Sequence, residues 1–289
     1  MDQRGNEGSG HERIAKVIAR AGLASRREAE RWVAAGRVSV NGKVIGSPAV
    51  TVGVRDKVSV DGRALPVRER TRLFLFHKPR GLLTSHGDPR GRRTVFVNMP
   101  SHLPRLISVG RLDLNTEGLL LLTNDGNLAR MLELPAVGWL RRYRVRAHGR
   151  ITEERLEALR GGITIDGIRY GSIEATADRI QGANVWLTFA MREGKNREVK
   201  NVLGHLGLAV NRLIRVSFGP FTLGDLAPGD IEEVRTRTLR EQLGGRIAAL
   251  AKADFSGPRA QRQPDDVGEP ELARREKRRR GGAARGGRR

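Results

Sequence analysis

Apolar and polar positions run through the chain with two periods, and the switches between them mark the elements. Ile14, Val17, Ile18 and Ala21 recur at helical spacing, with Gly22 placed to end that helix. Ser25 and Glu28 form a capping-box pattern for a second helix carrying Ala29, Trp32 and Val33, closed by Gly36. Period two then takes over. Val38-Ser39-Val40, the Asn41-Gly42 turn and Val44-Ile45 predict a hairpin, and Lys57-Val58-Ser59-Val60 a further strand.

Leu73-Phe74-Leu75-Phe76 and Leu106-Ile107-Ser108-Val109 are short apolar, β-favouring runs. Leu119-Leu120-Leu121-Leu122-Thr123 predicts a strand buried on both faces. Residues 127–134 suit a helix, capped by Asp125 or Asn124 and ended by Pro135. Residues 141–147 alternate basic with uncharged, the period of a half-exposed strand. Thr152 caps a helix through Leu159. Residues 163–168, 172–177 and 184–190 alternate as strands. A helix led by residues 193–200 runs to Leu206, and Leu213 to Phe218 is another strand. A last helix spans about 236–253, with Leu239, Leu243, Ile247 and Leu250 on one face.

These elements divide the chain. Residues 1–10 are polar and Gly-rich, and 11–61 carry two short helices and a hairpin. Residues 62–72 read as a polar linker on which the N-terminal part should move, since few contacts can cross so polar a segment. Residues 73–253 hold the second domain, and 254–289 are rich in Gly, Pro and Arg. Both ends are expected to be disordered. The basic run from Arg274 to Arg280 could hold RNA or simply keep the chain soluble.

Charge narrows the partner. Fifty-four Lys and Arg against 32 Asp and Glu give a net charge of +22, which favours polyanions, nucleic acid first. The segment 255–289 supplies only +6 of it, so the body itself is basic. Aromatics are 4% of the residues, so binding should rest on phosphates more than on stacked bases. No cysteine is present, which excludes disulfides, a thiolate nucleophile and Cys-ligated zinc. The six histidines lack metal-ligand spacing, so no metal is expected. With no apolar run near the N-terminus and none of about 18 residues anywhere, the reading is a cytoplasmic protein, a monomer, with no membrane partner. Gly36 to Lys43 fails as a phosphate loop, because Gly36 and Gly42 are wrongly spaced and no Ser or Thr follows Lys43.

One charged, Gly-bounded loop hangs between two of the strands: Gly110-Arg111-Leu112-Asp113, followed by Leu114-Asn115-Thr116-Glu117-Gly118. Loops on rigid strands commonly carry chemistry. Alone, Asp113 reads equally as a carboxylate capping a turn. Together with the four leucines and Thr123-Asn124-Asp125-Gly126, the stretch resembles the signature of the bacterial ribosomal pseudouridine synthases. It falls in the branch holding the small-subunit type A and large-subunit types B, E and F, with residues 107–118 and 139–143 looking most like the large-subunit type B enzymes. His77-Lys78-Pro79-Arg80-Gly81 resembles the Lys-Pro-x-Gly element with which the family's catalytic domain begins. Residues 11–61 resemble the alpha-L RNA-binding domain.

The resemblance implies an α+β catalytic domain, with a mixed, mostly antiparallel sheet flanked by helices and a cleft across its middle. It implies isomerisation of uridine to pseudouridine in ribosomal RNA, with large-subunit RNA or an assembly intermediate as partner and no cofactor. Asp113 would be the catalytic carboxylate. Attack on the sugar, attack on the base and removal of the 2′ proton all remain open to it. Tyr143 would lie against the target base, and Lys200 would pair with Asp113 and keep it ionised. Arg111 would fill the gap left by the extruded base. Lys78 and Arg80 could touch the RNA. Arg13, Lys16 and Arg20 on the first helix, and Arg26, Arg27 and Arg31 on the second, would form a phosphate-contacting patch rather than merely solvated faces. Trp32 reads as core. The alternatives are a small-subunit enzyme and a ribosome-assembly factor without catalysis.

Overall fold

The computed structural model describes residues 11–259. The first ten residues and the tail from 260, expected above to be disordered, lie outside the described residues.

Helices α1 (Ile14–Arg20) and α2 (Arg26–Ala34) pack Ile14, Ile18, Ala29 and Val33 onto Val38, Val58 and Val60 of a small four-stranded sheet. The capping box forms as the sequence requires: the Glu28 amide donates to Ser25 Oγ at 3.1 Å, and the Ser25 amide to Glu28 Oε2 at 3.5 Å. Asn41 (φ 53°) and Gly42 (φ 83°) make the hairpin turn, which needs positive φ at both positions. Trp32 is half-buried against this core, with the Arg37 guanidinium 4.9 Å from its ring.

The structure differs at the expected linker. Arg63–Ala64 pairs with Val58–Val60 as the last strand of the small sheet. Thr71 and Arg72 are buried. Thr71 Oγ1 donates to Asp125 at 2.8 Å, and the Arg72 guanidinium grips both oxygens of Glu233 at 2.8 and 2.7 Å. The Thr71 amide donates to the Asp254 carbonyl at 2.5 Å and the Arg70 amide to the Pro258 carbonyl at 3.1 Å, so the start of the expected tail is tied down as well. The polar residues that suggested freedom are held by partners distant in sequence, and the Leu65 amide donates to the Val58 carbonyl at 3.2 Å.

The central sheet has nine strands, two of them short side pairings at Ile107–Ser108 and Phe221–Thr222; the seven on its main path are numbered in chain order: β1 (Leu73–Lys78), β2 (Thr116–Thr123), β3 (Arg141–His148), β4 (Ile173–Gln181), β5 (Asn184–Met191), β6 (Ala209–Phe218) and β7 (Ile231–Glu233). Their spatial order is β4-β5-β3-β6-β2-β1-β7. Neighbours are antiparallel except β6 and β2, which run parallel through Leu213 and Thr116, Ile214 and Glu117, and Arg215 and Gly118. The short β7 lies in a polar stretch that gives no strand signal.

β2 is buried along its whole length. Leu119 and Leu121 face α3 (Gly126–Glu133) and α5 (Thr236–Ala251), while Leu120 and Leu122 face Phe74, Phe76 and the 95–112 segment. Each fully buried leucine contributes about 2 kcal/mol, so this strand fixes the frame from which the preceding loop projects. Asp125 caps α3, accepting from the Asn127 amide at 2.9 Å. α5 is broken at Gly244 (φ 66°) rather than continuous. The strand expected at 163–168 is a hairpin, Ile163–Ile165 with Ile168–Tyr170, turning at Asp166 and Gly167. A further helix, α4 (Glu198–His205), precedes β6.

Candidate active site

A cavity of about 620 Å³ opens over the middle of the sheet, where β3, β6 and the entry to β2 converge. Its wall includes Arg111, Asp113, Arg141, Tyr143, Glu198 and Arg215. A larger cavity is unnecessary for one nucleotide, and polar groups converging over an apolar floor are what a ligand site requires.

Asp113 sits in a loop clamped on every side. The Gly110 amide donates to Glu133 at 2.8 Å, and Thr84 Oγ1 donates to the Leu112 carbonyl at 3.0 Å. The Gly81 amide donates to the Leu114 carbonyl at 2.8 Å, and the Thr116 amide to the carbonyl of Asp113 itself at 3.0 Å. Lys78 completes the clamp. It is fully buried, and its ammonium donates to the carbonyls of Pro79, Leu114 and Thr116 at 3.0, 3.3 and 2.9 Å. Burial lowers its pKa to about 8, against the opposing pull of Asp113 and Glu117. Lys78 therefore does not reach RNA as the sequence suggested; a charge expected outside is consumed by three backbone oxygens. Arg80 is exposed and lines a different cavity.

The clamped backbone leaves the Asp113 carboxylate free, with its side chain 41% exposed. Lys200, from the first turns of α4, holds its ammonium 3.7 Å from Asp113 Oδ2. That is an ion pair without a hydrogen bond, of the kind worth less than about 1 kcal/mol at a surface. Lys200 is not among the wall residues. The carboxylate is less sheltered than a dry pocket would make it, so exclusion of water has to come from whatever fills the cavity. Arg111 is exposed on the rim.

Tyr143 is 8% exposed and points with Val145 and Ala147 to the buried face of β3. Directly opposite it on β6 stands Arg215, which sequence reasoning missed. The signal was present: Leu213, Arg215 and Ser217 share the inward period of β6, so an arginine there is aimed at the interior. Arg215 is 3% exposed; Nε donates to the Leu119 carbonyl at 2.7 Å, and the guanidinium lies 5.1 Å from the Phe218 ring. Arg141 lies 4.6 Å from the same ring. Burial lowers the pKa of both arginines, and Tyr143 offsets part of that for each. Glu198 is buried too, accepting from the Lys195 amide at 2.8 Å, and burial raises its pKa.

Of the expected patch on the N-terminal helices, Arg13, Arg26, Arg27 and Arg31 are exposed. Lys16 and Arg20 are both drawn onto Glu12, at 2.8 and 2.5 Å. Among the described residues no cluster of three or more His, Asp or Glu could hold a metal ion, and no helix is long and apolar enough to cross a membrane.

Comparison with known proteins gives two matching domain families, the S4 domain over residues 12–58 and RNA pseudouridylate synthase over residues 72–205. An uncharacterized RNA pseudouridine synthase of Rickettsia conorii is 43% identical over 227 residues, covering 78% of this chain and 98% of the relative. Ribosomal large subunit pseudouridine synthase B of Pseudomonas aeruginosa is 40% identical, covering 87% of this chain and 69% of the relative; its Haemophilus influenzae counterpart is 39% identical, covering 88% and 73%. A crystal structure of a pseudouridylate synthase superposes with a TM-score of 0.56 at 27% identity, covering 80% of this chain and 99% of that one.

Proposed function

This chain belongs to the RNA pseudouridine synthase family, isomerases acting on RNA, and from that premise we propose that it converts a uridine of large-subunit ribosomal RNA to pseudouridine, with Asp113 as the catalytic carboxylate. The observation that supports the residue assignment is the clamp: hydrogen bonds involving Lys78, Gly81, Thr84, Thr116 and Glu133 immobilise the loop, while its carboxylate stays free on the cavity wall, 3.7 Å from the Lys200 ammonium. Such preorganisation is what a reacting group needs.

The reaction separates the base from ribose carbon one and rejoins it through carbon five. A uridine extruded from its helix enters the cavity at a cost of a few kcal/mol. The Asp113 carboxylate meets the sugar, and Tyr143 lies against the uracil ring. The attraction between Lys200 and Asp113 strengthens once RNA covers the pair and the local dielectric falls. Arg111, on the rim, takes the place of the departed base in the helix. The unit at about 11–61 supplies affinity through the exposed Arg13, Arg26, Arg27 and Arg31 acting on phosphates.

The test is to incubate the full chain with large- and small-subunit ribosomal RNA and to map mass-neutral, carbodiimide-reactive products. A product confined to one large-subunit site supports the reading. A product on small-subunit RNA alone refutes the substrate assignment, and no product on either refutes the enzyme.

A further inference from the structure

Arg215 is a buried cation without a counter-ion. Among the described residues no carboxylate lies within ion-pairing distance of it, and the pairs that form nearby go elsewhere, Arg212 to Glu117 and Lys200 to Asp113. Its Nε is fixed by the Leu119 carbonyl, while Nη2 is buried with no hydrogen-bond partner in the protein. Its remaining exposure is on the cavity wall, directly across from Tyr143. Proteins rarely bury an unpaired guanidinium, so an anionic partner that comes and goes is the economical explanation.

The position is held rigidly. Gly118 is the parallel-seam partner of Arg215, and a Cβ there would fall 2.3 Å from the Arg215 carbonyl oxygen. The bare backbone of β2 thus closes on Arg215 from one side while Phe218 supports the guanidinium from another. A side chain kept only to fill space would not need a charge in this place.

We propose that Arg215 stabilises the uracil anion released when the glycosidic bond breaks, a role that rests on the synthase reading above. When the C1′–N1 bond breaks, its electron pair leaves with the base, whose charge spreads over N1, O2 and O4. Carbon one is compensated either by a bond to an Asp113 oxygen or, if Asp113 takes the 2′ proton, by a C1′=C2′ double bond. Both routes release the same monoanion. It forms in the cavity between Tyr143 and Arg215, where a preoriented positive charge lowers the barrier without having to reorganise. When carbon five then bonds to carbon one, the Asp113–C1′ bond breaks or, on the other route, C2′ takes its proton back from Asp113; the C5 proton is lost and N1 regains one, so the charge facing Arg215 disappears and the product is not retained by it.

The experiment compares leaving groups. Ribosomal RNA transcripts carrying uridine or 5-fluorouridine are reacted with full-length protein under single turnover, and C1′–N1 scission at the target is timed. Fluorine stabilises the departing anion by itself, so it should replace part of what Arg215 supplies. Arg215→Met is expected to slow scission of uridine by about 100-fold and of 5-fluorouridine by clearly less, with RNA affinity kept. An equal loss on both substrates overturns the assignment and leaves a structural arginine. Should the Met variant fail to fold, Arg215→Lys is scored in the same way: loss confined to uridine, or full rate through the retained charge, supports the role, and an even loss overturns it. A wild-type chain that converts neither substrate overturns the synthase reading itself.

Discussion

Lys78 reaches through the sheet to the Thr116 carbonyl at 2.9 Å, joining the end of β1 to the start of β2 directly beneath the Asp113 loop. A lysine used this way orders the Asp113 loop from a fully buried position. Lys78→Met takes the ammonium away from three carbonyls, of which Leu114 keeps the Gly81 amide. A loss of about 2–3 kcal/mol in denaturant unfolding is expected. Turnover should fall more than RNA affinity, as single-turnover and filter-binding assays would show.

The same lysine gives a pH dependence with a definite sign. Its folded pKa is about 8, below the ordinary 10.5. Between those values the unfolded chain binds more protons than the native one, so the native state gains stability as pH rises. Below pH 8 the cost of burying the charge is paid in full. The stability difference between wild type and Lys78→Met should therefore shift in favour of wild type from pH 8 to 10. A difference independent of pH in thermal melts would show that Lys78 titrates normally.

Asp113→Asn should abolish pseudouridine formation and leave RNA affinity within about twofold. Its effect on stability should stay under about 1 kcal/mol, because the partly exposed pair with Lys200 is weak. Measurable turnover by the purified variant would remove Asp113 from the mechanism.

Gly118 and Gly42 both have positive φ, 100° and 83°, but only Gly118 has backbone within reach of an added Cβ. Gly118→Ala should cost about 4 kcal/mol or leave the chain insoluble, combining strain with overlap. Gly42→Ala, with nothing within 4 Å, should cost about 1 kcal/mol. Equal costs by chemical denaturation would count against the parallel seam at Arg215.

Asp125 serves two purposes, capping α3 and accepting from Thr71 at 2.8 Å and Arg68 at 3.1 Å. Asp125→Ala should lose about 2 kcal/mol and expose residues 68–72 to protease. In the wild type those peptide bonds should resist cleavage with or without RNA. Ready cutting there in the wild type would restore a loose connection.

What the sequence revealed follows from how local each cause is. The capping box, the Asn41-Gly42 turn and the leucines of β2 act through neighbours in the chain, and all three elements stand where the pattern puts them. The loop bearing Asp113 was legible because its motif is long. Lys78 misled because lysines are nearly always outside, and only the folded chain brings three carbonyls to one ammonium. The polar stretch before β1 misled for a related reason. Arg68, Thr71 and Arg72 find Asp125 and Glu233, residues distant in sequence that no periodicity connects to them. Arg215 could have been caught by its place in the inward register of β6. Its pairing with Tyr143 could not, since that depends on which strand lies alongside.

The one parallel pairing among the seven strands has a consequence for how the protein comes into being. Thr116 and Leu213 are nearly a hundred residues apart, so their contact waits until β6 has been made. During translation the carboxylate side of the cleft leaves the ribosome well before the arginine side exists to face it. The cleft is thus completed only when β6 docks, and nascent chains that stop short of it carry Asp113 without the strand that walls it in.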